Sequence, residues 1–475
     1  LLLLVIVYIV TSVILFIFGF NAFFLIWLRM THKKGPPPCP PLDEYPIVTI
    51  QLPIYNERFV VSRAIDTIAQ LDWPRESLEI QILDDSTDDT TQIAQQCAQG
   101  FQEQGIQMVV IHRVQRAGFK AGALNDGLRN AKGSLVAIFD ADFCPPPDFL
   151  KRTIPYLLAD PKLGFIQTRW AHLNDEASLF TLAQAVALDG HFVVEHIARE
   201  AAGLLTNFSG TGGIWRRRCI EECGGWDGGM LTEDVDLSYR AQLLGWTGMT
   251  LQDVSVPAEL PALLAAFMQQ QFRWAKGNTQ CFLKLVKPLL RAPLSWRARI
   301  QGLIHLGYYF AHPLMLIVMG VTFPLIWYDL LHSWVLALLS LATLGPPSLY
   351  VLGQRILYRR WWRRLRAIPI LVLIGTGMAF SSTVAVIEAL LGIKSAFQRT
   401  PKFHTDRRHI GWQGQPYAPA KKLPWGELLA LCYAALTIVA AVSRNHPAIV
   451  PFLLLYVLGF GYTIVLRLGQ SASRA

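Results

Sequence analysis

Hydrophobic and polar positions divide the chain into three zones. Residues 1–28 carry no charge, the next ~270 residues alternate between apolar and polar, and apolar runs return from about 302 to the end. A helix of 28 residues is about 42 Å long, enough to cross a ~30 Å hydrocarbon core with some tilt. The run is too long for a signal peptide and no small-residue cleavage site follows it, so a transmembrane anchor is expected over 1–30. A Pro-rich stretch within 31–45, Gly35-Pro-Pro-Pro-Cys-Pro-Pro41, cannot continue that helix and reads as a stiff linker.

Strand and helix patterns then alternate. Val48–Leu52, Leu78–Leu83, Met108–Ile111 and Leu135–Phe139 predict buried strands, with helices over 58–71, 88–104 and 121–131. This rhythm predicts an α/β domain with a mostly parallel, helix-covered sheet. In such sheets ligands sit beyond the carboxyl ends of the strands. Asp84-Asp85 and Asp140-Ala-Asp142 stand at such ends.

Five apolar segments follow: 302–328, 330–353, 367–393, 428–443 and 447–466. If all five crossed the bilayer with the α/β domain in the cytosol, Lys394–Arg408, Arg467 and Arg474 would lie outside, against the positive-inside tendency. If 367–393 instead lies along the interface, every basic loop falls inside except Arg444. Ser381, Ser382, Thr383 and Glu388 make that segment the most polar of the five. Five spans plus interfacial helices, in a multi-pass membrane protein with a cytosolic catalytic domain, are therefore expected.

Composition agrees: of 475 residues, 52% are hydrophobic and 16% charged, too apolar for an ordinary soluble enzyme. The net charge of +9 is concentrated beside apolar runs, at Arg29, Lys33 and Lys34 and at Arg355, Arg359, Arg360, Arg363, Arg364 and Arg366. That placement suits anionic headgroups, and no nucleic-acid motif accompanies it. Seven cysteines without a C-x-x-C pair predict reduced thiols, with neither a disulfide framework nor structural zinc.

The candidate chemistry lies in carboxylates. Asp140 and Asp142 could hold a Mg²⁺ or Mn²⁺ ion that neutralises a diphosphate leaving group; a solvated turn is the alternative for Asp-x-Asp alone. Thr232-Glu233-Asp234 follows a Gly-rich turn and is expected to open a helix over 233–244. It could supply a general base, or merely an N-cap with acidic first-turn residues. Gln270, Arg273 and Trp274 share one face of a helix over about 262–286. The Arg could clamp a diphosphate and the Trp could stack on a sugar, although an interfacial helix would also carry such residues. Lys120 could reach a phosphate or simply be solvated. No P-loop or G-x-G-x-x-G occurs, which argues against ATP hydrolysis and dinucleotide redox chemistry.

As a set, Asp-Asp, Asp-x-Asp, Thr-Glu-Asp and Gln-x-x-Arg-Trp followed by membrane spans resemble the family 2 glycosyltransferases that make cellulose, hyaluronan and related polymers. The resemblance covers about residues 1–408. The wording of Leu52-Pro-Ile-Tyr-Asn-Glu57, Leu83-Asp-Asp-Ser-Thr-Asp88, Gly118-Phe-Lys-Ala-Gly-Ala123, Ile138-Phe-Asp-Ala-Asp-Phe143 and Gln167-Thr-Arg-Trp170 is similar to cellulose-synthase-like glucan and mannan synthases. The resemblance implies a GT-A catalytic domain over 46–260, interfacial helices over 261–300 and a channel region over 301–475, with an interfacial segment at 367–393 and a gating-like loop at 394–408. It implies that Asp84 and Asp85 contact the nucleotide, and that Asp140 and Asp142 contact diphosphate and metal. Asp234, with Glu233 and Thr232 in its motif, would be the base, and Gln270, Arg273 and Trp274 would bind diphosphate and acceptor. Gly210 and Thr211 would lie in an acceptor-side loop, and Arg399 and Lys402 in the gating loop Phe397–Lys402.

The implied reaction is inverting, processive transfer of a hexose from a nucleotide-sugar to a β-linked polysaccharide, with translocation of the product. UDP-glucose is favoured because more of the broad family uses it; GDP-mannose is the other donor. The runner-up is transfer to a membrane lipid such as ceramide or diacylglycerol. A transporter or receptor built on an inactive transferase fold would leave the acidic set without a role. The family's bacterial members carry several spans before the domain where one is visible here, and regulation by a cyclic dinucleotide is not expected.

Overall fold

The computed structural model describes residues 1–32, 38–395, 399–402 and 424–472. Its seven strands are β1 (Val48–Ile54), β2 (Leu78–Asp84), β3 (Gln107–His112), β4 (Leu135–Ile138), β5 (Leu163–His172), β6 (Gly213–Arg216) and β7 (Thr247–Ala258). They form one sheet in the order β3-β2-β1-β4-β6-β5-β7. Strand β6 runs antiparallel to β4 and β5, and the remaining pairs are parallel. The mostly parallel sheet expected from the strand–helix rhythm is present.

Helices cover both faces, so even the polar positions of the inner strands are buried and must be paired. Thr49 Oγ1 donates to Glu79 Oε2 at 2.6 Å. Gln51 Nε2 donates to Gln81 Oε1 and to the Leu124 carbonyl, both at 3.2 Å. The helix Phe119–Asn130 can lie over this polar ladder because Gly127 has no side chain; a Cβ there would stand 2.6 Å from Gln51 Nε2.

Outside the sheet domain, five helices among the described residues are long and apolar enough to cross a membrane: Leu2–Thr31, Tyr308–Trp327, Trp334–Leu357, Trp425–Ser443 and Pro447–Gln470. Trp361–Gly377 and Ala379–Leu390 form a pair bent by 45°, a broken span or a re-entrant loop. This is the 367–393 region that the charge pattern singled out. The single run expected over 302–328 is in fact divided. Trp296–Leu306 ends at Gly307, a short turn covers Tyr308–Phe310, and Ala311–Trp327 begins anew. Hydropathy is continuous across Gly307, but the α-helix is not. Of the gating-like loop, 396–398 and 403–408 lie outside the described residues, as do 33–37 of the linker.

Close contacts also join helices far apart in the chain. The helices Leu2–Thr31 and Ser333–Leu357 meet backbone to backbone: a Cβ on Gly19 would stand 2.3 Å from the Ala342 carbonyl oxygen, and one on Gly345 would stand 2.0 Å from that of Gly19. The long helix Leu264–Arg291 carries Lys276, fully buried, whose ammonium donates to Glu388 Oε2 and Ser395 Oγ, both at 2.5 Å.

Candidate active site

The carboxyl ends of β1, β2 and β4 open into a cavity of about 760 Å³ that continues between the membrane-facing helices. Its sheet-side wall includes Tyr55, Glu57, Asp85, Lys120, Asp140 and Asp142. Successive side chains of a strand point to opposite sides, and this separates the two aspartates closing β2. Asp85 faces the cavity, its two oxygens held by Arg113 Nε at 2.7 Å and Nη2 at 2.6 Å. Asp84 does not reach the cavity wall, contrary to the expected nucleotide contact. It is fully buried, accepting from the Ser86 amide at 2.9 Å and Thr91 Oγ1 at 2.6 Å, with His112 Nδ1 at 2.7 Å.

Asp140 is held through both its backbone and its side chain. Its amide donates to Thr211 Oγ1 at 2.8 Å, while its Oδ1 accepts from Lys120 Nζ at 2.6 Å. Thr211 is therefore buried behind the site rather than on the cavity wall, so it supports Asp140 where a substrate contact was expected. Lys120 also donates to the Gly210 carbonyl at 2.9 Å. Gly210 has φ +84, and a Cβ there would approach Asp234 Oδ2 to 3.0 Å, so only glycine lets this loop pass the carboxylate.

Asp234 lies in the first turn of Glu233–Leu243. Thr232 precedes that helix, but its hydroxyl makes no cap; it meets Cys281 Sγ at 3.4 Å. Thr232 thus holds the N-cap position ahead of an acidic first turn, Glu233, Asp234 and Asp236, without a side-chain cap. Gly277 lets the long helix close on this point, since a Cβ there would stand 2.6 Å from Thr232 Cγ2. The same helix carries Gln270, Arg273 and Trp274 to the cavity beside Thr232, Glu233 and Asp234.

Burial, then the neighbouring Glu233 charge, pushes Asp234 up to about 7, against the pull of Lys120 and Arg273. Glu233 is also raised, first by burial, with Lys120 opposing. Burial alone would lower Lys120, but Asp140 and Glu233 outweigh it and raise its affinity for a proton.

Arg399 and Lys402, from the described end of the gating-like segment, close the sheet side. Arg399 Nη1 stands 2.7 Å from Glu57 Oε2, and Lys402 Nζ donates to Asp142 Oδ2 at 2.6 Å and to the Glu259 carbonyl at 3.0 Å. Burial pushes Glu57 up to about 8, with Arg399 opposing and Asp142 adding to the rise. Among the described residues no three His, Cys, Asp or Glu side chains gather into a closed metal cage. Asp140 and Asp142 nonetheless suit a divalent ion that takes its remaining ligands from diphosphate and water. Each already has an ammonium 2.6 Å away, so both carboxylates sit where positive charge is favoured.

Sequence reasoning gave no role to Glu57, Arg113 or Arg116, whose guanidinium lies 3.5 Å from the Tyr55 ring centroid. The available signal was position: Tyr55 and Glu57 directly follow β1, at the same end of the sheet as the aspartates.

Residues 46–277 match the family described as Glycosyltransferase like family 2. The chain is 41% identical over 254 residues to probable glucomannan 4-beta-mannosyltransferase 7 of Oryza sativa subsp. japonica, covering 52% of this chain and 43% of that protein. It is 39% identical over 285 residues to glucomannan 4-beta-mannosyltransferase 2 of Arabidopsis thaliana, covering 59% and 53%. The chain thus spans about half the length of the curated relatives it matches. Among solved structures, the mannosyltransferase PcManGT from Pyrobaculum calidifontis, in complex with GDP-Man and Mn²⁺, aligns with TM-score 0.56 and 21% identity over 82% of this chain and all of that one. That likeness shows the fold.

Proposed function

We propose that the protein, whose residues 46–277 match the family 2 glycosyltransferase model and share the fold of a solved mannosyltransferase, is a membrane-embedded inverting mannosyltransferase that extends a β-linked glycan from GDP-mannose. The observation that carries this reading is convergence. Asp140, Asp142, Lys120, Asp234, Arg273 and Trp274 meet on one cavity that runs on between helices able to cross a membrane.

Asp140 and Asp142 would hold a Mn²⁺ or Mg²⁺ ion, which when bound would supply charge neutralisation for the departing GDP. Lys120 and Arg273 add positive charge on the protein side. Asp234 takes the proton from the acceptor hydroxyl as its oxygen attacks the anomeric carbon from the face opposite the leaving group, which inverts the configuration there. A carboxyl pushed up to about 7 is well matched to that task near neutral pH. Trp274 offers a stacking face to the acceptor sugar. The neutral continuation of the cavity gives the growing chain a route away from the site, and arginines beside the spans favour a cytosolic domain. Mannose is preferred because the relatives above are named as mannosyltransferases; the sequence-based lean toward UDP-glucose gains no support from them.

The test uses purified protein in lipid nanodiscs with Mn²⁺, offered radiolabelled GDP-mannose or UDP-glucose in parallel. Label in a polymer digested by β-mannanase is the expected outcome. Label from UDP-glucose alone would overturn the donor, and label only in the lipid fraction would replace the glycan acceptor by a lipid.

A further inference from the structure

A second polar cluster lines the same cavity away from the aspartates. The helix that starts at Leu179 loosens into a π-helical turn over His191–His196 before Ile197–Ala201. Such turns recur at functional sites. His191, Glu195 and Arg199 all reach the cavity wall from this segment. Glu195 Oε2 is 2.9 Å from His191 Nδ1, and Arg199 Nε donates to Glu195 Oε1 at 3.1 Å. Behind them, His196 Nε2 lies 3.0 Å from His191 Nε2, and His196 Nδ1 lies 3.4 Å from Thr250 Oγ1. With neutral rings, one direction of donation satisfies the row: Thr250 to His196, His196 to His191, His191 to Glu195.

This row fixes the orientation of Glu195 without using it up. Burial would raise its carboxyl, but the His191 hydrogen bond and the charges around it outweigh burial and hold it well below the usual range. An ionised carboxylate has about four acceptor positions, and His191 and Arg199 take two. The side chains of Glu195 and His191 keep 22% and 30% of their surface open, whereas Arg199 behind them keeps 1%.

We propose that Glu195, oriented by His191 and Arg199, forms an acceptor subsite that accepts hydrogen bonds from the vicinal hydroxyls of a sugar unit behind the reacting end of the glycan. This rests on the proposed glycan-extending activity. A sugar diol presents two donors to one carboxylate. The uncharged hydroxyls need no counter-ion, and the fixed Arg199 supplies the balancing charge.

The experiment measures mannosyl transfer from GDP-mannose by the full chain in nanodiscs with Mn²⁺, using β-1,4-mannotetraose or free mannose as acceptor, beside titration with GDP. Glu195→Gln is expected to raise KM for mannotetraose at least tenfold, with kcat changed less than threefold and GDP affinity within threefold. Free mannose, with no second sugar unit to occupy the subsite, should show no such penalty. His191→Gln leaves the Glu195–Arg199 pair intact and should raise the same KM about threefold; it decides the question if the first variant loses GDP binding. A mannotetraose KM within twofold of wild type in both variants overturns the subsite, as does an equal penalty for mannose. A wild-type protein that binds GDP but transfers no mannose to either acceptor overturns the functional reading instead, and the subsite with it.

Discussion

The sheet-side and membrane-side parts of the cavity are built on opposite principles. At the sheet, carboxylates and cations stand in close pairs: Asp85 with Arg113, Asp140 with Lys120, Asp142 with Lys402 and Glu57 with Arg399. Between the membrane-facing helices the lining residues include Tyr308, Met315, Thr322, Phe452 and Tyr456, and among the described residues no Asp, Glu, Lys or Arg from 301 onward joins them until Arg399. A charged donor needs partners of opposite sign that it can exchange with those already present. A neutral glycan needs a wall that offers hydroxyls and ring faces but no deep electrostatic trap, and a charge facing hydrocarbon would cost about 2.5–3.5 kcal/mol or more.

The sharpest way to break this contrast is at its charged end. Asp234→Asn keeps the shape but removes the proposed base, and transfer should fall about 10³-fold while GDP binding is retained. Loss of GDP binding, measured by titration, would mean that Asp234 serves the donor instead. A gentler probe of the same group is pH. Because Asp234 is raised to about 7 and must be ionised to act, transfer should be full above that pH and decline through it. The decline should be about tenfold per unit below. A flat profile from pH 8 to 5 would remove the base assignment. The neutral end is tested by importing a charge. Thr322 is buried on the cavity wall, its hydroxyl donating to the Val318 carbonyl at 2.6 Å. Thr322→Asp should shorten the polymer about threefold, read as product length on a sizing gel; unchanged length would deny that the product passes there.

Much of the sheet-side part was legible because its signals are local. Strands such as Val48–Ile54 and Leu78–Asp84 are short apolar runs, and the acidic clusters sit at their ends. The long helix Leu264–Arg291 was legible from its 3.6-residue period. What stayed hidden depends on tertiary contact. Asp84 and Asp85 are neighbours in sequence, and only the pleat decides which one faces the cavity. Thr211 reads as an acceptor-loop residue until β4 is placed against it. The antiparallel insertion of β6 between β4 and β5 follows from chain return, which no local pattern encodes. The divided run at Gly307 and the π-helical turn at His191–His196 leave hydropathy unchanged, so a composition window passes over both.

The meeting of Gly19 with Gly345 has a consequence for the width of the cavity. Gly19 is itself on the cavity wall, and with no side chain there or at Gly345 the two helix backbones touch. The spacing of these helices is thereby fixed by two positions that carry no side chain. A single methyl group at either one acts as a shim, spreading the two helices apart. Calibre here is a property of the smallest residues at the contact, and the larger ones around them inherit it.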